Sequence, residues 1–115
     1  MSTIYVVMGT VGEFSDRREW AVAAYESEEL AQRHVELASQ RGREIEAARI
    51  PGSARDKMTG PERGAAWNVY VDTWKTNQFD ANFRCDYHPA TYFLYEEVPL
   101  RTSLPTPAVA STPQP

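Results

Sequence analysis

The stretch Thr3–Ser27, TIYVVMGTVGEFSDRREWAVAAYES, constrains what this chain can fold into more than any other. It reads as an apolar strand, a polar loop, a second apolar strand and the cap of a helix. Ile4–Met8 (IYVVM) is β-branched and aromatic and is bounded by Thr3 and Gly9, which is a strand signal. Its side chains are apolar at consecutive positions, which predicts a central rather than an edge strand. Gly9–Arg17 (GTVGEFSDR) carries two glycines, a serine and an aspartate. That is loop chemistry, and the loop is longer than a tight hairpin turn. Trp20–Tyr25 (WAVAAY) alternates, with Trp20, Val22 and Ala24 on one face and Ala21, Ala23 and Tyr25 on the other. This predicts a second strand, antiparallel to the first.

Ser27 stands where an N-cap belongs, and Glu28 and Glu29 follow where carboxylates favour the helix dipole. Leu30, Ala31, His34, Val35, Ala38, Gly42 and Ile45 then recur at spacings of three and four. They predict an amphipathic helix that lays a small-residue stripe on the sheet and ends at Pro51-Gly52. Glu29, Arg33, Glu36, Gln40 and Arg43 take the solvent side. Gly52–Gly64 lacks periodicity and reads as a loop. Ala65–Thr76 fits a helix through Trp67, Tyr70, Val71 and Trp74, and a strand through Trp67, Val69, Val71 and Thr73. Pro61 and Glu62 just upstream suit a first helical turn and favour the helix. Asn77–Asn82 is turn-rich. Thr91–Leu100 (TYFLYEEVPL) reads as a third strand, with Pro99 at its end or on an edge.

The order β-β-α-(α)-β predicts an α+β fold: a small antiparallel sheet of about three strands with one long amphipathic helix packed on a face. The chain has 115 residues, which suits a single domain over residues 1–101. Residues 102–115 are uncharged and hold four prolines, predicting a disordered or docking tail. The net charge of −4 argues against direct binding to nucleic acid or to an anionic membrane. The single cysteine, Cys85, fits a reducing compartment. No secretory signal and no transmembrane run is legible. The expected setting is the cytoplasm.

The polar cluster Glu13, Ser15, Asp16, Arg17, Arg18 and Glu19 has two readings. In one, Arg17 or Arg18 presents a planar fork to a carboxylate or phosphate, oriented by Asp16. In the other, Ser15 and Asp16 cap their own turn and the arginines pair with glutamate in solvent. Gly9-Thr10-Val11-Gly12 lacks the lysine and the following helix that a phosphate loop requires. His34, Cys85, Asp86 and His88 do not make a zinc set, since no second cysteine and no paired histidine spacing accompanies them. A nucleophilic Cys85 has no visible base or oxyanion donor. The expectation is a protein without enzymatic activity, cofactor or metal. The ring-rich last third, from Trp67 to Tyr95, either builds the core over a thin alanine-lined helix or faces a partner.

The strand IYVVMGT, the loop GEFSDRREW, the helix start AAYESEELA and the ending FDANFRCDY…TYFLYEEVPL resemble a family of small tailed-phage and prophage proteins. That family carries a GE[YF]SDRxEW loop and a DYxxxxYxxxEVxL ending. The resemblance covers roughly residues 3–35 and 78–100. It marks Gly9, Gly12, Glu13, Ser15, Asp16, Arg17 and Trp20, then Asp86, Tyr87, Tyr92 and Glu97. The chain departs from it at His88-Pro89-Ala90, where the family reads Thr-Gly-Thr. If the two matching ends lie together, with the first and last strands as sheet neighbours, Asp16, Arg17 and Asp86 share one rim. The binding residues it suggests are Glu13, Ser15, Asp16, Arg17, Arg18, Trp20, Asp86 and Tyr87. The expected role is a non-enzymatic phage or prophage accessory protein, a homodimer, that binds a host or phage protein, with inhibition of a host defence system of the anti-CRISPR kind as one such role. Alternatives are a small-molecule or nucleotide-sequestering protein using the Glu13–Arg18 loop, and a minor structural virion component.

Overall fold

The computed structural model describes residues 2–12, 14–84 and 91–107. Its elements run β1 (Thr3–Val11), β2 (Arg18–Tyr25), α1 (Glu28–Ala47), α2 (Gly52–Arg55), α3 (Gly60–Trp74) and β3 (Tyr92–Pro99). The strands form one antiparallel sheet in the order β2-β1-β3, so the two-faced apolar run of β1 is indeed central. This is the small α+β fold that the pattern predicts. The N- and C-terminal strands pair along their length, from Thr3 opposite Pro99 to Thr10 opposite Tyr92. Pro99 is tolerated because β3 is an edge strand.

Three local readings change. β1 does not stop at Gly9 but runs to Val11, and β2 already begins at Arg18, so the connecting loop is short. Gly9 belongs to the ladder because the Trp20 ring lies flat against it: a Cβ there would fall 2.7 Å from the indole. Gly12 makes the turn itself, with φ +87°, a backbone conformation that strains any other residue.

The second change is a bulge. Val7 faces Ala23 but Met8 faces Ala21, leaving Val22 as the extra residue in β2. The simple alternation expected for β2 is therefore broken. Trp20, Ala23 and Tyr25 share a face with Gly9, Val7 and Tyr5, whereas Ala21 and Ala24 fall on the other side.

The third change is in Gly52–Gly64, which is not all loop. It holds α2 and the first turn of α3. Thr59 opens α3 with a capping box: its hydroxyl accepts the Glu62 amide, and the Glu62 carboxylate reaches back to the Thr59 amide. The segment Ala65–Thr76 is helical through Trp74, as favoured.

α1 starts at Ser27, whose hydroxyl accepts the Leu30 amide at 3.3 Å. It presses Ala31, Ala38, Gly42 and Ile45 inward, but Leu30, expected on that stripe, is 55% exposed. Helix termination comes at Ala47, a turn before Pro51. Val7 and Val11 of β1 are buried on the α1 side of the sheet, and Ile45, Tyr70, Trp74 and Phe83 form a second buried cluster with Val71 and Phe93 at its margin. Phe83 lies over Gly42, and its ring stacks on Phe93 at 6.3 Å. No helix among the described residues is long and apolar enough to cross a membrane.

Candidate functional site

The charged loop between β1 and β2 takes its self-satisfied form. Asp16 accepts the Phe14 amide at 3.3 Å, and the Arg17 amide closes a turn on the Phe14 carbonyl. Arg17 is paired with Glu19, and both side chains are about half exposed. Asp16 therefore orients the turn and not the Arg17 fork. Ser15 and Arg18 are exposed at the same end of the sheet. Glu13, Asp86 and Tyr87 lie outside the described residues, as do Cys85 and His88. Of the expected rim of Asp16, Arg17 and Asp86, only the first two lie among the described residues.

Trp20, half-buried, is the residue of this set with a structural tie to the rest of the molecule. Its indole N–H points at both carboxylate oxygens of Asp80, each at 3.1 Å. Asp80 is only 2% exposed and also accepts the Asn82 amide at 2.9 Å. Burial pushes its carboxyl above the ordinary carboxylate range, while the Asn82 amide, the Trp20 indole and His34 pull the other way. His34 sits between layers. Its Nε2–H donates to the Phe79 carbonyl at 2.7 Å, and its Nδ1 accepts the Tyr25 hydroxyl at 2.6 Å. It is a hydrogen-bonded boundary histidine, and it fastens the 77–84 turn to α1 and β2. Among the described residues no three His, Cys, Asp or Glu side chains gather as metal ligands.

Two surfaces stand open once these ties are made. The first is a cleft of about 660 Å³ where the start of β2, the end of α3 and the 81–84 turn meet. Its walls are Trp20, Trp74, Phe83 and Val71, with Arg18, Lys75 and Arg84 at the polar positions. The Arg84 guanidinium lies 5.9 Å from the centre of the Trp74 ring. Of the predicted binding residues, this cleft brings Arg18 and Trp20 together and leaves Ser15, Asp16 and Arg17 outside.

The second is the face of the sheet opposite α1. Register places Ile4, Val6, Met8 and Thr10 there, flanked by Ala21 and Ala24 of β2 and by Tyr92, Leu94, Glu96 and Val98 of β3. None of these residues is buried, and Tyr92 and Leu94 are 61% and 36% exposed. The apolar face was visible in the sequence as the two-sided run IYVVM. What the sequence did not reveal is that all the packing would fall on one side, leaving the other face apolar and bare.

No protein-family model, no curated protein sequence and no solved structure matches the chain.

Proposed function

We propose that this chain is a non-enzymatic accessory protein, of the phage or prophage kind its two end motifs resemble, and that it acts by binding protein. The observation that carries this reading is the bare apolar sheet face. A central strand that leaves Ile4, Val6 and Met8 only half-buried, with half-buried Val98 and exposed Tyr92 and Leu94 beside them, is an interaction surface rather than an ordinary solvated one.

The first occupant of that face is a second copy. The patch is self-complementary, and its charged members sit at the margin: Glu96 on the edge strand and Glu19 at the sheet corner opposite Thr10. Two such faces pack as an aligned sandwich with the β1 side chains at the centre. Strands about 4.8 Å apart with about 3.4 Å rise make a face of roughly 400 Å² per copy. A stable specific interface buries about 800 Å² per partner. The dimer is therefore of the weak, exchanging class, and the same face is free to take a host or phage protein. Inhibition of a host defence system is the role this suits: an acidic, compact chain that occupies a partner's surface.

Sedimentation over a range of concentrations tests the dimer. Association that Leu94→Glu abolishes supports the reading; a monomer at every concentration removes it.

A second reading, small-molecule sequestration, is favoured by the cleft of Trp20, Trp74 and Phe83 and not by the Glu13–Arg18 loop. A volume of this order suits a ligand of drug size with an apolar body. Under this reading Arg18→Ala weakens ligand-induced thermal stabilisation while Arg17→Ala does not. Equal effects of the two variants contradict it.

A further inference from the structure

Away from the cleft and the sheet face, three arginines from three consecutive elements line one pocket. Arg49 lies just beyond α1, Arg55 ends α2 and Arg63 sits in the first turns of α3, yet all three line one pocket of about 20 Å³ walled by Trp67 and Tyr70. Among the described residues none of the three forms an ion pair, as is also true of Arg18, Arg43, Lys57 and Arg101, so what sets the three apart is the pocket they share. Composition does not force this arrangement, because Asp and Glu outnumber Lys and Arg by 16 to 12.

Two features of α3 bear on the charge at this pocket. Glu62, the carboxylate beside Arg63 in sequence, is turned away to the Thr59 amide by the capping box. Arg63 stands near the positive end of the α3 dipole, where a cation is disfavoured. Three arginines that line one pocket offer a site that an anion can occupy.

Guanidinium forks match the oxygens of a phosphoryl group in bidentate fashion. A pocket of this volume holds about one or two water-sized groups, so it takes phosphoryl oxygens and excludes a ring. The ring has a place just outside. Trp67 is 39% exposed and lies one turn beyond Arg63 on the same helix, offering its indole for stacking. We propose that Arg49, Arg55 and Arg63 receive the phosphoryl group of a nucleotide whose base rests on Trp67. This site is separate from the sheet face, so its test stands apart from the dimer test.

Isothermal titration of the full chain at low salt with AMP, adenosine and inorganic phosphate reads it directly. AMP is expected to bind more tightly than either fragment. Arg55→Gln and Arg63→Gln, both at exposed positions, each weaken it by about tenfold or more. Arg17→Gln leaves it unchanged, and far-UV circular dichroism verifies that each variant is folded. Four results overturn the proposal: no AMP binding up to about 5 mM, a range in which even weak sites register; binding indifferent to the arginine variants; phosphate as tight as AMP, which removes the stacked base; or adenosine as tight as AMP, which removes the arginines.

Discussion

At the residue scale, Gly9 and Asp80 are the two positions where one atom decides most. Gly9→Ala places a methyl 2.7 Å from the Trp20 indole, and that ring cannot swing aside because Asp80 holds its N–H. The expected cost is that of overpacking, about 1–3 kcal/mol, read by urea unfolding. Asp80 gives a pH signature. Burial raises its folded pKa above the unfolded value of 3.8, so its contribution to stability is complete below that value and is lost as pH rises through the folded pKa. Asp80→Asn keeps an acceptor for Trp20 and Asn82 and removes the titration. As pH rises from the unfolded value of 3.8 through the raised folded pKa, the variant should gain stability relative to the parent. A difference that stays flat over that range would show that the carboxyl does not titrate abnormally. The contacts that make these two positions decisive were not legible beforehand. Trp20 and Asp80 are sixty residues apart, and nothing in either local pattern announces that they meet.

At the element scale, the sequence was most readable where local chemistry and tertiary packing agree. Ser27 caps α1, the stripe Ala31, Ala38, Gly42 and Ile45 is buried, and the TYFLYEEVPL strand pairs with β1 as its alternation requires. It was least readable where punctuation has two meanings. Pro51, Gly52, Gly60 and Pro61 look like loop residues, yet here proline and glycine open two helices, and the Thr59–Glu62 spacing was itself the capping-box signature. The bulge at Val22 is likewise invisible in an unbroken apolar alternation. Thr59→Ala tests the assignment of α3: losing the cap should cost about 1 kcal/mol and lower Tm by roughly 4 °C in a chain of this size. An unchanged Tm would mean that α3 does not depend on this cap.

At the scale of the whole molecule, every tie described above falls on one side of the sheet. α1 docks there, Trp20 and His34 fasten the 77–84 turn there, and Phe83 fills the space over Gly42. The other side keeps its apolar side chains in water. The sequence showed that β1 is apolar on both faces but not which face would be covered, because the number of helices and the side on which they pack are tertiary facts. The polar loop drew attention for its charge, but folding spends that charge on its own turn and on the Arg17–Glu19 pair. Under the proposed function, protein binding falls to the sheet face.

Sedimentation equilibrium of the full chain and of Leu94→Glu, across a wide concentration range at neutral pH, tests that conclusion most directly. The account predicts reversible association of the 13.0 kDa chain toward twice that mass, and a variant that stays monomeric while keeping its circular dichroism. A parent chain that remains at 13.0 kDa throughout, or a variant that associates as the parent does, would contradict it.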